Sequence, residues 1–212
     1  MRQEELESGD AIGPLDWYKI HPFEAAAVSD RLEWVGLEAA RYRATPAFEL
    51  NQPPLTHHKL VLYTRPPEEL EMRFEGVKRH VPPPSGAIFV VPAGSPHWVR
   101  SSGWKDQLHI SLETGLVTRV AAEAFDLDPA RLTVPPLDGL ELPHLRAAMA
   151  AVGAELASSG PGGPLAAESL ANVLAVHLTR HVLAPRQPER GGGWHAAARA
   201  APCGRRVHRG AP

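Results

Sequence analysis

The first half of the chain alternates short apolar runs with segments that favour turns. The runs are five or six residues long, and clusters of proline, glycine and charged residues separate them. They are WVGLEA (34–39), KLVLYT (59–64), LEMRF (70–74), AIFVV (87–91) and LHISL (108–112). Short strands at this spacing, with frequent turns between them, are typical of an all-β sandwich or barrel. We therefore predict an all-β barrel with an N-terminal extension over residues 1–113.

After residue 113 the apolar pattern becomes helical. Residues 115–125 are rich in alanine and predict a helix, and Asp138 with Glu141 forms a capping-box arrangement at the start of a second one. The stripe of this second helix is Leu142, Leu145, Met149, Val152 and Leu156. A glycine-rich turn and Pro164 then introduce a third helix, whose stripe is Leu170, Val173, Leu174, Leu178 and Val182. We predict that these last two helices form an α-helical hairpin within residues 114–184.

One segment carries a recognisable motif, GAIFVVPAGSPHW (86–98). An apolar strand is followed by a tight Pro-x-Gly turn, which places a histidine at the start of the next strand. The positions of Gly86, Pro92, Gly94 and His97 resemble the second motif of the cupins, which are small jelly-roll barrels. The resemblance implies a cupin barrel.

The metal site of many cupins is incomplete here. Metal-binding cupins add a His-x-His pair on one strand, followed by a glutamate, whereas His57 and His58 are adjacent and Leu60 stands two positions beyond His58. Adjacent side chains of a strand point to opposite faces, so both imidazoles cannot enter the barrel. We predict no bound metal and no cofactor. A metal-dependent oxygenase or isomerase is the alternative. It would need His58 and His97 to face one cavity, with His109 as a third ligand.

A cupin barrel followed by a helical hairpin resembles the regulatory half of AraC-type transcription factors. The resemblance runs from His58 to Val182, through GAIFVVPAGSPHW, LHISLE, DPARLTVPPLDG and GGPLAAESLANVLAVHLTRHV. It implies that the barrel binds a small-molecule effector and that the helices pair two protomers. It also implies that a separate C-terminal domain, with two helix-turn-helix units, binds DNA.

This resemblance assigns roles to two sets of residues. The predicted effector-binding residues are His58, Leu60, Leu62, Val90 and His97. The predicted dimerisation residues of a homodimer are Leu142, Leu145, Met149, Val152, Leu170 and Leu174. For the second set, simple packing of the hairpin on the barrel is the alternative.

Composition narrows the class of protein further. The 212 residues are 43 % apolar and carry a formal net charge of −2, which supports a core and gives no general attraction to nucleic acid. A single cysteine excludes an internal disulfide and a cysteine-based zinc site. The N-terminus is acidic, and no apolar stretch approaches the length of a membrane span. We expect a cytoplasmic protein that does not associate with membranes.

The C-terminal segment departs from the AraC pattern. Residues 194–212 follow the linker PERGGG (188–193), whereas two helix-turn-helix units need roughly a hundred residues. We expect residues 185–212 to be a linker and a disordered tail, rich in Arg, Ala, Gly and Pro as out-of-frame reading of GC-rich DNA often is. The expected protein is a truncated or frameshifted regulator without its own DNA-binding domain. A free-standing cupin sensor is the other non-enzymatic hypothesis.

Overall fold

The computed structural model describes residues 10–80, 83–158 and 160–183. Within these residues the chain forms two antiparallel sheets, four α-helices and a 3-10 helix at Pro129–Arg131. The helices are α1 (Pro14–Ile20), α2 (Thr114–Phe125), α3 (Pro143–Ser158) and α4 (Gly163–Leu183). The strands are β1 (Ala27–Val28), β2 (Leu37–Thr45), β3 (Phe48–Gln52), β4 (His58–Arg65), β5 (Leu70–Phe74), β6 (Val77–His80), β7 (Ile88–Val91), β8 (His97–Ser101), β9 (Lys105–Leu112) and β10 (Leu137–Leu140).

The strands are arranged in two sheets that face each other. The large sheet has the order β1-β2-β9-β4-β7-β10, and the small sheet has the order β3-β8-β5-β6. Neighbours such as β2 and β9 are far apart in sequence, so the sheets cannot form from hairpins alone. The predicted mainly β character of the first half is confirmed, and each of the five apolar runs contributes to a strand.

Strand β4 has two buried faces with different surroundings. Val61 and Tyr63 belong to an apolar cluster that joins the large sheet to the small one. Leu60 and Leu62 belong to a second cluster, shared with the helices. Side chains alternate along a strand, so one face of the large sheet packs against the small sheet and the other packs against the helices.

The helices α2, α3 and α4 cover the outer face of the large sheet. Their inward residues join one continuous apolar core with the sheet, in which Leu145, Met149, Val152 and Leu174 are each at most 1 % exposed. Four of the six predicted dimerisation residues therefore lie in the core of a single chain and cannot form an interface between folded protomers. Leu142 and Leu170 are partly buried against the same core. These helix residues are apolar because they pack on the sheet. Packing of the hairpin on the barrel was the alternative to dimerisation in the sequence analysis.

The second predicted helix begins later than its capping pattern suggested. Asp138 lies in β10, where Gly139 has a φ of +62°, a conformation that interrupts a right-handed helix. Helix α3 begins at Pro143, because proline is well suited to the first helical position. The prediction for residues 115–125 is confirmed by α2, and Pro164 stands at the second residue of α4 as expected.

Strand β10 pairs with β7, so part of the predicted helical region 114–184 contributes to the large sheet. The division into a sensor barrel and a helical dimerisation region stays a prediction. The predicted linker and tail at 185–212 lie outside the described residues. Among the helices that the structure describes, none is long and apolar enough to cross a membrane.

The short helix α1 packs against strand β2 of the large sheet. Pro14 starts it, and Asp16 and Lys19 form an exposed ion pair of 2.9 Å one turn apart. Its buried residues, Trp17 and Tyr18, pack with Tyr42 of β2 in a third apolar cluster. The sequence reasoning did not predict this helix, nor strands β1, β3, β6 and β10.

Candidate effector site

The Pro-x-Gly turn delivers His97 into the barrel interior. Gly94 has a φ of +74°, which favours glycine, and its N–H donates a 2.8 Å hydrogen bond to the carbonyl of Leu55. His97 is the first residue of β8 and is 6 % exposed. Its ring stacks on Phe74 of β5, with centroids 4.9 Å apart and planes 12° apart. The sequence motif therefore predicted both the turn and the position of His97 at the start of a strand.

His97 belongs to a group of four buried polar side chains. We call it the polar centre, and it consists of Gln52, Lys59, His97 and His109. These residues come from four strands: β3, β4, β8 and β9. Strand register brings them together, because Gln52 pairs with His97 while Lys59 and His109 lie on neighbouring strands of the large sheet. The Lys59 ammonium donates a short hydrogen bond to the Gln52 side-chain oxygen.

Two spaces adjoin the polar centre. The interior space holds about 30 Å³, and its lining is mostly apolar or aromatic: His21, Phe48, Leu50, Val61, Tyr63, Met72, Phe89, Val91, Val99 and Gln107 with the polar centre. An open cleft of about 320 Å³ lies beside it, between Arg73, Trp98 and neighbouring residues. Gln52 and His97 line both spaces, so the polar centre lies where the interior meets the cleft.

Burial controls the charge of the polar centre. Loss of solvent lowers the pKa of the Lys59 ammonium to about 7. Burial also lowers the pKa of His97 and His109 well below the ordinary value, and the Lys59 charge lowers both further. The pKa of His21 falls to about 4 for the same two reasons. At neutral pH the three imidazoles are therefore neutral, and Lys59 is close to half protonated.

Of the five predicted effector-binding residues, His97 alone lies in the interior. Leu60, Leu62 and Val90 are buried against the helices and do not line the space between the sheets. His58 shares their face of β4, and its Nδ1 accepts a 3.1 Å hydrogen bond from the backbone N–H of Ala93. The alternation along β4 was predicted correctly, but the enclosed face was not.

The interior residues that the sequence reasoning missed are Gln52, Lys59 and His109. Lys59 had a sequence signal, because it lies within an apolar strand on the face opposite Leu60 and Leu62. From the sequence, His109 was named only as a third ligand of a metal site, and it is 4 % exposed on the inner face of β9. Gln52 carried no comparable signal, since its strand was not predicted.

The residues present do not fit a metal ion of the kind that many cupins bind. His58 and His97 lie on different sides of the large sheet, so they do not face one cavity. Lys59 lines the same space as the interior imidazoles, and no carboxylate lines that space within the described residues. In the described part of the chain, no group of three or more His, Cys, Asp or Glu side chains is arranged to hold a metal. A metal-dependent oxygenase or isomerase is not favoured by this arrangement.

Comparison with solved structures places this arrangement of sheets and helices in a known class of fold. The AraC-like transcriptional activator CuxR superposes with a TM-score of 0.52 at 12 % identity, over 76 % of this chain and 56 % of CuxR. The chain thus spans little more than half of that protein. The likeness shows that the two share a fold over much of the region described here.

Cupins are also among the similar structures. A cupin superfamily protein from Desulfitobacterium hafniense DCB-2 matches with a TM-score of 0.33 and 16 % identity, over 38 % of this chain and 71 % of its own. A cupin domain from Bordetella pertussis Tohama I matches with a TM-score of 0.31 and 15 % identity, over 36 % and 81 %. No family model matches the sequence, and no curated protein matches it either.

Proposed function

We propose that this chain is the effector-binding and dimerisation portion of an AraC-type transcriptional regulator. The observation that carries the proposal is the likeness to CuxR, which extends over 76 % of the chain, well beyond the 36–38 % that the two cupins cover. In this proposal the barrel binds a small molecule, and DNA is contacted through a separate DNA-binding domain of the intact regulator.

The effector site is the polar centre and the two spaces beside it. Ligand sites are typically concave and mostly apolar, with a few polar groups that fix orientation. The interior has this composition, and the open cleft shares Gln52 and His97 with it. Effector binding shifts the balance between two arrangements of the dimer only if the effector binds one arrangement more tightly.

Dimerisation uses the outward face of α4, since the predicted stripe is buried. Leu165 is 69 % exposed, Val173 is 42 % exposed and Leu183 is 40 % exposed. Successive residues of an α-helix are rotated by about 100° around its axis, so these three side chains point to the same side of α4. A second copy of this chain is the occupant that the AraC resemblance implies for a helix in this position.

A reporter assay and a mass measurement test the dimerisation part of the proposal. The full chain is fused to a heterologous DNA-binding domain that represses transcription only as a dimer, and the mass of the purified chain is measured by light scattering. We expect repression and a dimeric mass. The double variant Leu165→Glu/Val173→Glu should lose both, because four carboxylates would be buried at the interface.

Val77→Glu serves as the matched control, because Val77 is an exposed valine on β6, away from α4. It should leave the dimer and the repression intact. A monomeric mass for the unaltered chain, together with a fusion that does not repress, would overturn the dimerisation part of the proposal.

A further inference from the structure

The polar centre contains a buried cation without a carboxylate partner. Lys59 is 4 % exposed, and its only hydrogen bond among the described residues is the one to Gln52. No Asp or Glu is among the described residues that line the interior. Burial of an ammonium group without an opposite charge is costly, so such a group is suited to a ligand that supplies the missing charge.

Three buried nitrogen atoms of the polar centre have no hydrogen-bond partner among the described residues. The Nδ1 atoms of His97 and His109 and the Nε2 atom of Gln52 are buried and have no hydrogen-bond partner within the described structure. The amide Nε2 is a donor, and a neutral imidazole donates through one nitrogen only. The His97 ring already makes a hydrogen bond with the Ser95 backbone, so Gln52 and His109 supply the free donors. Together with the ammonium, these two donors line one small space. Such a set binds an anion and not a cation.

The size of the two spaces limits the ligand. The interior space of about 30 Å³ admits only a few heavy atoms, because one water needs roughly 10–15 Å³ measured in the same way. A carboxylate group is of this size. The open cleft of about 320 Å³ shares Gln52 and His97 with the interior, but its Arg73 and Trp98 lie on the outward face of the small sheet, so the interior sets the size of the head group.

We propose that the effector of this barrel is a small monocarboxylate, whose head group pairs with Lys59 and accepts hydrogen bonds from Gln52 and His109. The proposal rests on the proposed function, because it names the chemical class of the effector.

This pairing couples binding to a proton. An anion beside Lys59 favours its charged form, so binding above about pH 7 takes up a proton, whereas binding near pH 6 does not. The other titratable groups in or around the interior come from the segment after α1 and from strands β2, β4, β8 and β9. They are His21, Tyr42, Tyr63, His97, Lys105 and His109. Burial keeps the two tyrosines protonated and the three histidines neutral across this range, so Lys59 and Lys105 are the groups that change charge.

Calorimetric titration of the full chain tests the proposal. The probes are formate, acetate, propionate and benzoate, with acetamide and benzamide as neutral analogues of the same shape. We expect at least one carboxylate to bind and its amide analogue to bind about tenfold or more weakly. At pH 8 the measured enthalpy should depend on the ionisation enthalpy of the buffer, and at pH 6 it should not.

Two variants at one position separate charge from packing. Lys59→Met fills the site without a charge and should lower carboxylate affinity about tenfold or more, whereas Lys59→Arg should retain part of it. Lys19→Met, at an exposed lysine of α1, is the matched control and should bind as the unaltered chain does. Thermal melting of each variant verifies that it is folded.

Three results would overturn the proposal. They are no binding by any of the four carboxylates, equal binding of a carboxylate and its amide, or full carboxylate affinity in folded Lys59→Met. The mass of the same samples reports on dimerisation separately. A chain that dimerises but binds no carboxylate would therefore contradict this inference without contradicting the proposed regulatory function.

Discussion

The guanidinium of Arg41 in β2 donates a 2.7 Å hydrogen bond to the carbonyl oxygen of Gly153 in α3. These residues are 112 positions apart in sequence, and their contact ties the helices to the large sheet. A Cβ atom at Gly153 would lie against that guanidinium and 3.0 Å from Cδ2 of Leu108. The missing side chain thus lets α3 approach the sheet closely.

We expect Gly153→Ala to destabilise the protein by ~1–3 kcal/mol, because the added methyl group overfills a close contact. Alanine in a helix interior is otherwise favoured over glycine by about 1 kcal/mol, so the sign of the change is informative. Denaturant unfolding measures it. Gly163→Ala is the control, since a Cβ there would meet only Glu155, at 4.0 Å. Equal or greater stability for Gly153→Ala would contradict the close packing.

Met149→Ala and Leu165→Ala distinguish the core of one chain from the surface between two chains. Met149 is fully buried on the inward side of α3. Its truncation should lower the unfolding free energy by ~2–5 kcal/mol, while the folded protein keeps its oligomeric state. Leu165 is exposed on α4, and its truncation should change monomer stability by about 0.5 kcal/mol or less. Under the proposed dimer, Leu165→Ala weakens self-association instead. Chemical unfolding and sedimentation velocity measure the two effects, and a monomeric Met149→Ala that stays fully folded would contradict the assignment.

Acid should destabilise this protein through its buried histidines. His97 and His109 have pKa values well below 6.5 when folded, and close to 6.5 when unfolded. As the pH falls below 6.5 the unfolded chain therefore binds protons that the folded chain does not, and the unfolding free energy falls. Each histidine contributes a slope of up to ~1.4 kcal/mol per pH unit.

The variant His109→Asn should reduce this acid slope by about one proton, as measured by denaturant unfolding between pH 6.5 and 4.5. His80→Asn, at a half-exposed histidine of β6, controls for the chemical change itself. An unchanged slope in His109→Asn would show that this imidazole is not held neutral in the barrel.

Lys59 should make the unfolding free energy depend on pH in the neutral to alkaline range, above the range of the histidines. Its pKa is about 7 when folded and about 10.4 in an unfolded chain, so from pH 7 to 10 the unfolded state binds more protons and stability rises with pH. Lys59→Met should be more stable than the unaltered chain near pH 7, and its stability should depend less on pH above 7. Lys105, whose pKa burial lowers to about 8, contributes to the same window, so the slope decreases without vanishing.

Unfolding free energies at pH 7 and pH 9 measure the Lys59 effect, with Lys19→Met as the exposed control. A Lys59→Met variant with the same pH dependence as the unaltered chain would contradict a buried, neutralised amine. Because this window lies above the histidine range, the two pH predictions can be tested on one protein.

The candidate site was predictable in part. The spacing of Gly86, Pro92, Gly94 and His97 led directly to a buried histidine, because that turn depends on local backbone conformation. Lys59 was visible as a charge within an apolar run. Gln52 and His109 were not, because their place beside Lys59 depends on strand pairings between distant segments.

The sequence by itself determined the strand-rich first half, the glycine turn that carries His97 and the helical segments after residue 113. These features follow from local periodicity and from local backbone preferences. Only the tertiary structure decided which face of β4 encloses the polar centre. Both faces of that strand are apolar over much of their length, and the three helices that cover one of them come from far along the chain. Because the helices pack on that face, most of the predicted dimerisation residues lie in the core, and the outward face of α4 is exposed.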